Sequence, residues 1–211
     1  SEELYHYLTI DSAYNVVAFS AEKKFLKSDR KFDLPVVPFE EITNIYVPDL
    51  FKVIVAIGYQ EINGLRTRLY HAAKEKGYDF INYINSKVLN TSSVEFGENC
   101  IVMENNSINA TSKIGNNVIL WSGNHIGHHS TIKDNCFLAG HVIVSGVSTI
   151  GESCFIGVNS TIGHQIDIGA KNIIGARSLI TKSTEPNSVY LEKDTSKYRL
   201  DSDSFLKLTK L

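Results

Sequence analysis

From Phe96 an aliphatic or aromatic residue recurs at every sixth position without an insertion, through Val102, Ile108, Ile114, Leu120, Ile126, Ile132, Leu138, Val144, Ile150, Ile156, Ile162, Ile168 and Ile174 to Ile180. Glycine follows it at positions 97, 115, 127, 151, 157, 163, 169 and 175, and two residues before it stand small or polar side chains such as Ser112, Asn124, Ser130, Ser148 and Ser160. A period of six suits neither a 3.6-residue helix nor simple strand alternation. It suits short strands joined by tight corners, at which glycine is expected to supply the turn dihedrals. Three hexads close one triangular coil, so these fifteen build five coils of a parallel β-helix. The aliphatic positions then stack inward as three columns, each removed from water at roughly 25 cal/mol per Å². Such a stack has two open ends, and bare strand edges invite aggregation. Residues before Phe96 are expected to cap one end and the segment after Ile180 the other.

The first 85 or so residues read differently. Residues 1–8 predict a helix, with Ser1 as its cap and Leu4, Tyr5 and Leu8 on one side. Residues 14–19 and 52–57 are apolar runs of β-formers and predict buried parallel strands. Between them residues 34–42, with two prolines, predict an edge strand or turn before a short helix. Residues 63–77 predict an amphipathic helix with Leu65, Leu69, Ala72 and Ala73 on its apolar stripe and Gly77 as its stop. This order implies a small α/β unit with a doubly wound parallel sheet over residues 1–85, the β-helix over 86–185 and a C-terminal tail over 186–211. Such sheets bind ligands beyond the carboxyl ends of their strands, here near Ser20 and near Gly58 and Tyr59. No G-x-G-x-x-G is present, so a dinucleotide site has no direct support.

Charge narrows the partners. Lys plus Arg number 21 against 23 Asp plus Glu, a balance that argues against a nucleic-acid or anionic-membrane surface. Three cysteines without C-x-x-C spacing do not suggest a disulfide framework and fit a reducing cytoplasm. No apolar stretch is long enough for a membrane span and no secretory leader opens the sequence. A soluble cytoplasmic protein is expected.

Four stretches carry a resemblance to a known family: residues 56–66 (AIGYQEINGLR), 124–130 (NHIGHHS), 137–146 (FLAGHVIVSG) and 155–162 (FIGVNSTI). With the hexads they resemble the bacterial sugar O- and N-acyltransferases that include sialic acid O-acetyltransferase and the bacillosamine-pathway N-acetyltransferase. The resemblance implies a left-handed β-helix, a homotrimer with active sites at subunit interfaces, and acetyl-CoA as co-substrate without a metal. The implied acceptor is a nucleotide-linked amino sugar, a 4-amino-4,6-dideoxyhexose used for surface polysaccharide, with sugar O-acetylation as the alternative. Family members open with a strand and a Gly-rich loop on the nucleotide. This sequence starts at the following helix, so the first strand of the sheet is expected to be lacking.

Acyl transfer from a thioester needs a base for the attacking amine or hydroxyl, and histidine suits that task near neutral pH. Five of the seven histidines fall in the hexads: His125, His128, His129, His141 and His164. By motif, His128 matches the family's base, and His129 replaces the acidic residue that commonly follows it. His128, Gly146 and His164 are spaced one coil apart and so share a column, the two histidines on the order of 10 Å from each other. His141 is an alternative base or substrate contact, and Asn124, His125 and Trp121 are candidates to steer the sugar. Each has a plainer reading as a corner, interface or core residue. For CoA the resemblance marks Gly157, Asn159, Gly175 and Ala176, with Lys182 available for phosphate. Two other classes remain: a β-helix zinc carbonic anhydrase using His125, His128 and His141, and a non-catalytic scaffold.

Overall fold

The computed structural model describes residues 2–89 and 91–209; the expected Ser1 cap lies outside them. All the hexad positions from Val102 to Ile180 are buried, Phe96 is half-buried, and together they form one continuous core. Strands of two residues stack in parallel at a register of eighteen, as in His125 against Ile143 and Phe137 against Phe155. Backbone N–H groups beside the strands reach the coil above, for example Gly127 to Val144 and Trp121 to Leu138, and those at the corners reach the coil below, as Val147 does to His128. The result is a left-handed parallel β-helix with three flat faces.

Corner chemistry differs from the expectation. The glycines that follow the aliphatic residue do not supply unusual dihedrals. At Gly127 an added Cβ would stand 2.4 Å from the Gly146 nitrogen of the next coil, and at Gly157 2.5 Å from that of Ala176. Close approach of coils is what requires glycine there. The left-handed residue comes two places later, with φ of 55° at Asn117, 57° at His129, 64° at Asn135 and 59° at His141, a region in which Asn and His are enriched. Only Gly123 holds that slot as glycine, at φ 75°.

Because the first residue of each strand points outward, the three faces can be told apart. The seven-stranded face (Tyr83–Ile84, Ile101–Val102, Ile119–Leu120, Phe137–Leu138, Phe155–Ile156, Ile173–Ile174, Val189–Tyr190) presents apolar and aromatic side chains throughout. It begins at Ile84, two hexads before Phe96, and ends at Tyr190. The charged face (Glu95–Phe96, Lys113–Ile114, Thr131–Ile132, Thr149–Ile150, Asp167–Ile168) presents Glu95, Lys113, two threonines and Asp167. The aliphatic face (Ser107–Ile108, His125–Ile126, Ile143–Val144, Thr161–Ile162, Leu179–Ile180) presents Ser107, His125, Ile143, Thr161 and Leu179.

The N-terminal residues lie along the seven-stranded face instead of capping an end, because that face offers them an apolar surface. Helix α1 (Glu2–Ile10) buries Leu4 and Leu8 against Ile101, Ile119 and Phe137. Strands β1 (Phe19–Ala21), β2 (Arg30–Lys31) and β3 (Leu34–Pro38) form a sheet of order β1-β3-β2, parallel between β1 and β3 and antiparallel between β2 and β3. Leu34–Pro38 is therefore central, not an edge. The doubly wound sheet is not formed. Of residues 14–19 only Phe19 joins a strand, and residues 52–57 make only the isolated parallel bridge of Val53 to Phe80. Helices α2 (Ile42–Ile45) and α3 (Gly64–Glu75) follow, the latter ending before Gly77 at φ 87°. α3 buries Arg66, Tyr70 and Ala73, while Leu65, Leu69 and Ala72 are half-buried. After residue 190 a run without regular structure leads to α4 (Ser202–Thr209).

Candidate active site

His128 and His129 share the corner between the aliphatic and charged faces, and both are exposed. The left-handed backbone at His129 turns its ring back toward its neighbour, so that the two Nδ1 atoms stand 3.0 Å apart with the rings at 86°. One Nδ1 must carry the proton and the other accept it. When His128 is the donor, its Nε2 is left as a free base, and that Nε2 makes no hydrogen bond among the described residues. The ring leans over Gly146: a Cβ there would stand 2.8 Å from Nε2. Glycine at 146 is what leaves room for the imidazole.

His141 is elsewhere. It lies at the corner between the seven-stranded and aliphatic faces, its ring over Gly123, where a Cβ would stand 2.6 Å from its Nδ1. Within one chain, His128 and His141 thus flank opposite edges of the aliphatic face. His125 is exposed on that face, and His164 is exposed one coil beyond Gly146. Among the described residues no three His, Cys, Asp or Glu side chains gather to hold a metal.

Several candidates are corrected by their bonding. Asn124 is buried, its amide spent on the Trp121 carbonyl (2.7 Å) and on accepting the Val142 N–H (2.7 Å), so it is a rung between coils and cannot also grip a sugar. The N–H groups of Gly157 and Gly175 both bond the next coil at 2.7 Å, to Ile174 and Tyr190, and are not free for CoA. Ala176, the Asn159 side chain and Lys182 are exposed and remain available. Ser20 is exposed in β1. Gly58 turns its carbonyl inward to Arg66 at 2.9 Å, which leaves Tyr59 projecting.

Two features were not assembled from the sequence, although Trp121 and Tyr59 were candidates singly. Trp121, Phe137, Phe155 and Tyr59 form an aromatic strip, with centroids 6.3 Å apart for Trp121–Phe137, 5.8 Å for Phe137–Phe155 and 4.6 Å for Tyr59–Phe155. Arg66 is fully buried and donates to the carbonyls of Gly58, Asn117, Asn135 and Cys136 and to Asn63 Oδ1. Burial lowers its pKa to about 10. Beside it a side-chain ladder runs from Asn99 through Asn117 and Asn135 to Glu152, and Asn99 Oδ1 accepts the Val55 N–H across the seam at 2.7 Å. The eighteen-residue recurrence of Asn99, Asn117 and Asn135 was the signal for the ladder. For Arg66 the sequence held none.

Residues 111–146 and 148–182 match the sequence profile of the bacterial transferase hexapeptide (six repeats). Repeat and architecture define the fold, a left-handed parallel β-helix built on hexapeptide repeats. No curated protein matches the chain by sequence. Among solved structures, a mutant of perosamine N-acetyltransferase from Caulobacter crescentus, in complex with CoA and GDP-perosamine, is similar at 28% identity and a TM-score of 0.70 over 74% of each chain. PerB from Caulobacter crescentus, with the same ligands, is similar at 24% identity and a TM-score of 0.73, covering 84% of this chain and 94% of that one. The acetyltransferase domain of PglB from Neisseria gonorrhoeae FA1090 shares 20% identity with a TM-score of 0.76, covering 89% and 87%. Below a quarter identity, the last two bear on the fold alone.

Proposed function

We propose that this chain is a CoA-dependent sugar acyltransferase that moves an acetyl group from acetyl-CoA to the amine of a nucleotide-linked amino sugar, a 4-amino-4,6-dideoxyhexose, for bacterial surface polysaccharide. The observation that carries it is the His128–His129 pair on a hexapeptide transferase scaffold. The similar perosamine N-acetyltransferase, in complex with CoA and GDP-perosamine, supports it.

The amine nitrogen attacks the thioester carbonyl carbon and the C–S bond breaks. His128 Nε2 takes the proton released by the amine, and CoA leaves as its thiol. His129 takes the orienting part of a carboxylate's role: its Nδ1 accepts the hydrogen bond from His128 Nδ1–H and holds the ring in the tautomer whose Nε2 is the base. Ala176, Asn159 and Lys182 are the candidate CoA contacts, and Tyr59 and Ser20 the acceptor contacts.

The site is completed by a second copy. Of the two faces that the N-terminal residues leave bare, only the aliphatic one presents large aliphatic side chains in its strands, with Ile143 43% and Leu179 66% exposed. It carries no Lys, Arg, Asp or Glu at its outward strand positions. Association through this face, as a homotrimer, would carry the His128 corner of one subunit toward the His141 corner of its neighbour.

Release of CoA thiol from acetyl-CoA, measured with a panel of nucleotide-linked amino sugars and plain sugars, tests the proposal. One amino sugar should turn over, and His128→Ala should lower kcat at least about a hundredfold. An unchanged rate in that variant would move the role to His141. Turnover with plain sugars alone would make it O-transfer.

A further inference from the structure

A carboxylate beside a catalytic imidazole orients the ring and offsets its positive charge, but it carries no proton to pass on. At this corner the partner is a second imidazole, which can take a proton at one nitrogen and release one from the other. The backbone fixes the pair between coils. The His129 N–H reaches the Ala110 carbonyl below, and the His128 carbonyl accepts the Val147 N–H from above at 2.9 Å.

The residues stacked on the pair are Ala110 and Thr111 on one side and Gly146 and Val147 on the other, none of them a carboxylate. Among the described residues, no carboxylate pairs with either ring. A positive charge formed on His128 is therefore met by His129 alone. Both rings are exposed, and neither Nε2 makes a hydrogen bond among the described residues. A continuous path thus runs from His128 Nε2, over Gly146, through the 3.0 Å contact of the two Nδ1 atoms and on to His129 Nε2 in solvent.

We infer that His129 is a proton relay: besides holding the ring of the base, it carries the base's proton onward to water. The inference rests on the reading of His128 as base given above. His128 Nε2 gains the proton that the acceptor nitrogen loses as that nitrogen bonds the thioester carbon. The His128 Nδ1–H bond breaks and its proton joins His129 Nδ1, while the His129 Nε2–H bond breaks and that proton passes to water. One proton enters the pair and one leaves, so neither ring stays charged. The sulfur released from the C–S bond takes a proton from water, which balances the turnover. After the product leaves, the reverse passage restores the tautomers: His129 Nε2 takes a proton from water and His128 Nε2 gives one up. Transfer between two like imidazoles is near balance. A carboxylate binds a proton roughly a hundredfold more weakly than an imidazole does and leaves the charge on the imidazole.

The test is single-turnover release of CoA thiol from acetyl-CoA and the amino sugar, with enzyme in excess so that product release is not counted, in mixtures of H2O and D2O. His129→Asn can accept the Nδ1–H bond but cannot take the proton, and asparagine suits the φ of 57° at this corner. His129→Gly removes the ring and leaves its place to imidazole or acetamide added from solution. The rate should fall at least about tenfold in His129→Asn, with acetyl-CoA binding unchanged. Its dependence on the D2O fraction should be bowed in the native protein, where several protons move together, and straight in His129→Asn. Imidazole should restore the rate of His129→Gly, whereas acetamide, which accepts a hydrogen bond but not a proton, should not. A native rate in His129→Asn, or equal restoration by acetamide, would overturn the relay and leave His129 as an orienting group. His128→Ala, run alongside, separates the two readings. If it keeps the native rate, the assignment of the base fails and the relay with it; loss there with none in His129→Asn ends the relay alone.

Discussion

The β-helix and the N-terminal residues use similar apolar runs with opposite outcomes. In the β-helix every Ile or Leu at a sixth position lands inward, and between the end coils its strand finds partners one coil below and one above. In the N-terminal region residues 14–19 and 52–57 are as apolar, yet they border a cavity and leave edges unpaired. An apolar run specifies a strand only where the fold supplies neighbours on both edges. A solenoid supplies them by repetition, whereas an α/β sheet needs each strand individually.

The largest effect should come from the β-helix core. Leu138→Ala removes a fully buried side chain and should cost about 2–5 kcal/mol in denaturant unfolding. Because neighbouring coils share that core, the loss should appear as one cooperative shift. A separate local melting of the coil would break the comparison.

Arg66→Met should act on the other side of it. The carbonyls of Gly58, Asn117 and Asn135 lose their donor, while that of Cys136 keeps the Ile119 N–H, at about 1–3 kcal/mol for each orphaned carbonyl that water cannot reach. Hydrogen exchange should quicken in residues 53–66 while the amides of the later coils stay protected. Uniform loss across both regions would show that they unfold as a single unit.

The smallest effect is one of pH. The Asp11 carboxyl is held below its ordinary value chiefly by hydrogen bonds from Ser86, with Tyr83 adding to them. For Glu98 burial opposes the charge, but hydrogen bonds from Lys74 and Tyr70 outweigh it. Both carboxylates link N-terminal residues to the first coils. A lowered folded pKa gives stability that is present above the unfolded value, near 4, and is lost as pH falls through the folded value. Acid titration should therefore loosen α1 and α3 below about pH 4 while the β-helix persists, and Asp11→Asn should weaken that dependence.

Much of the architecture was legible because the hexad period is local and each hexad buries the same position. The N-terminal helices were legible too, from apolar stripes and the Gly77 stop. Strand pairing there was not, since nothing in residues 52–57 announces that one of their edges lacks a partner. In the site, His128 and His129 are sequence neighbours, but their Nδ1 contact depends on the left-handed turn at His129. Asn124 looked like a polar group beside a base. Its burial between Trp121 and Val142 came only from the stacking of coils.

The three-sided β-helix, its inward columns and the eighteen-residue register follow from the hexads alone, because a six-residue period repeated without error leaves few other ways to bury its aliphatic positions. The tertiary structure alone decided which face is covered, which corners carry exposed histidines and where Arg66 spends its donors. Its carbonyl partners at Asn117, Asn135 and Cys136 lie 51 to 70 residues away along the chain. Contacts of that range form only when α3 is laid along the seven-stranded face, whose tyrosine, isoleucines and phenylalanines must be removed from water by something outside the repeat.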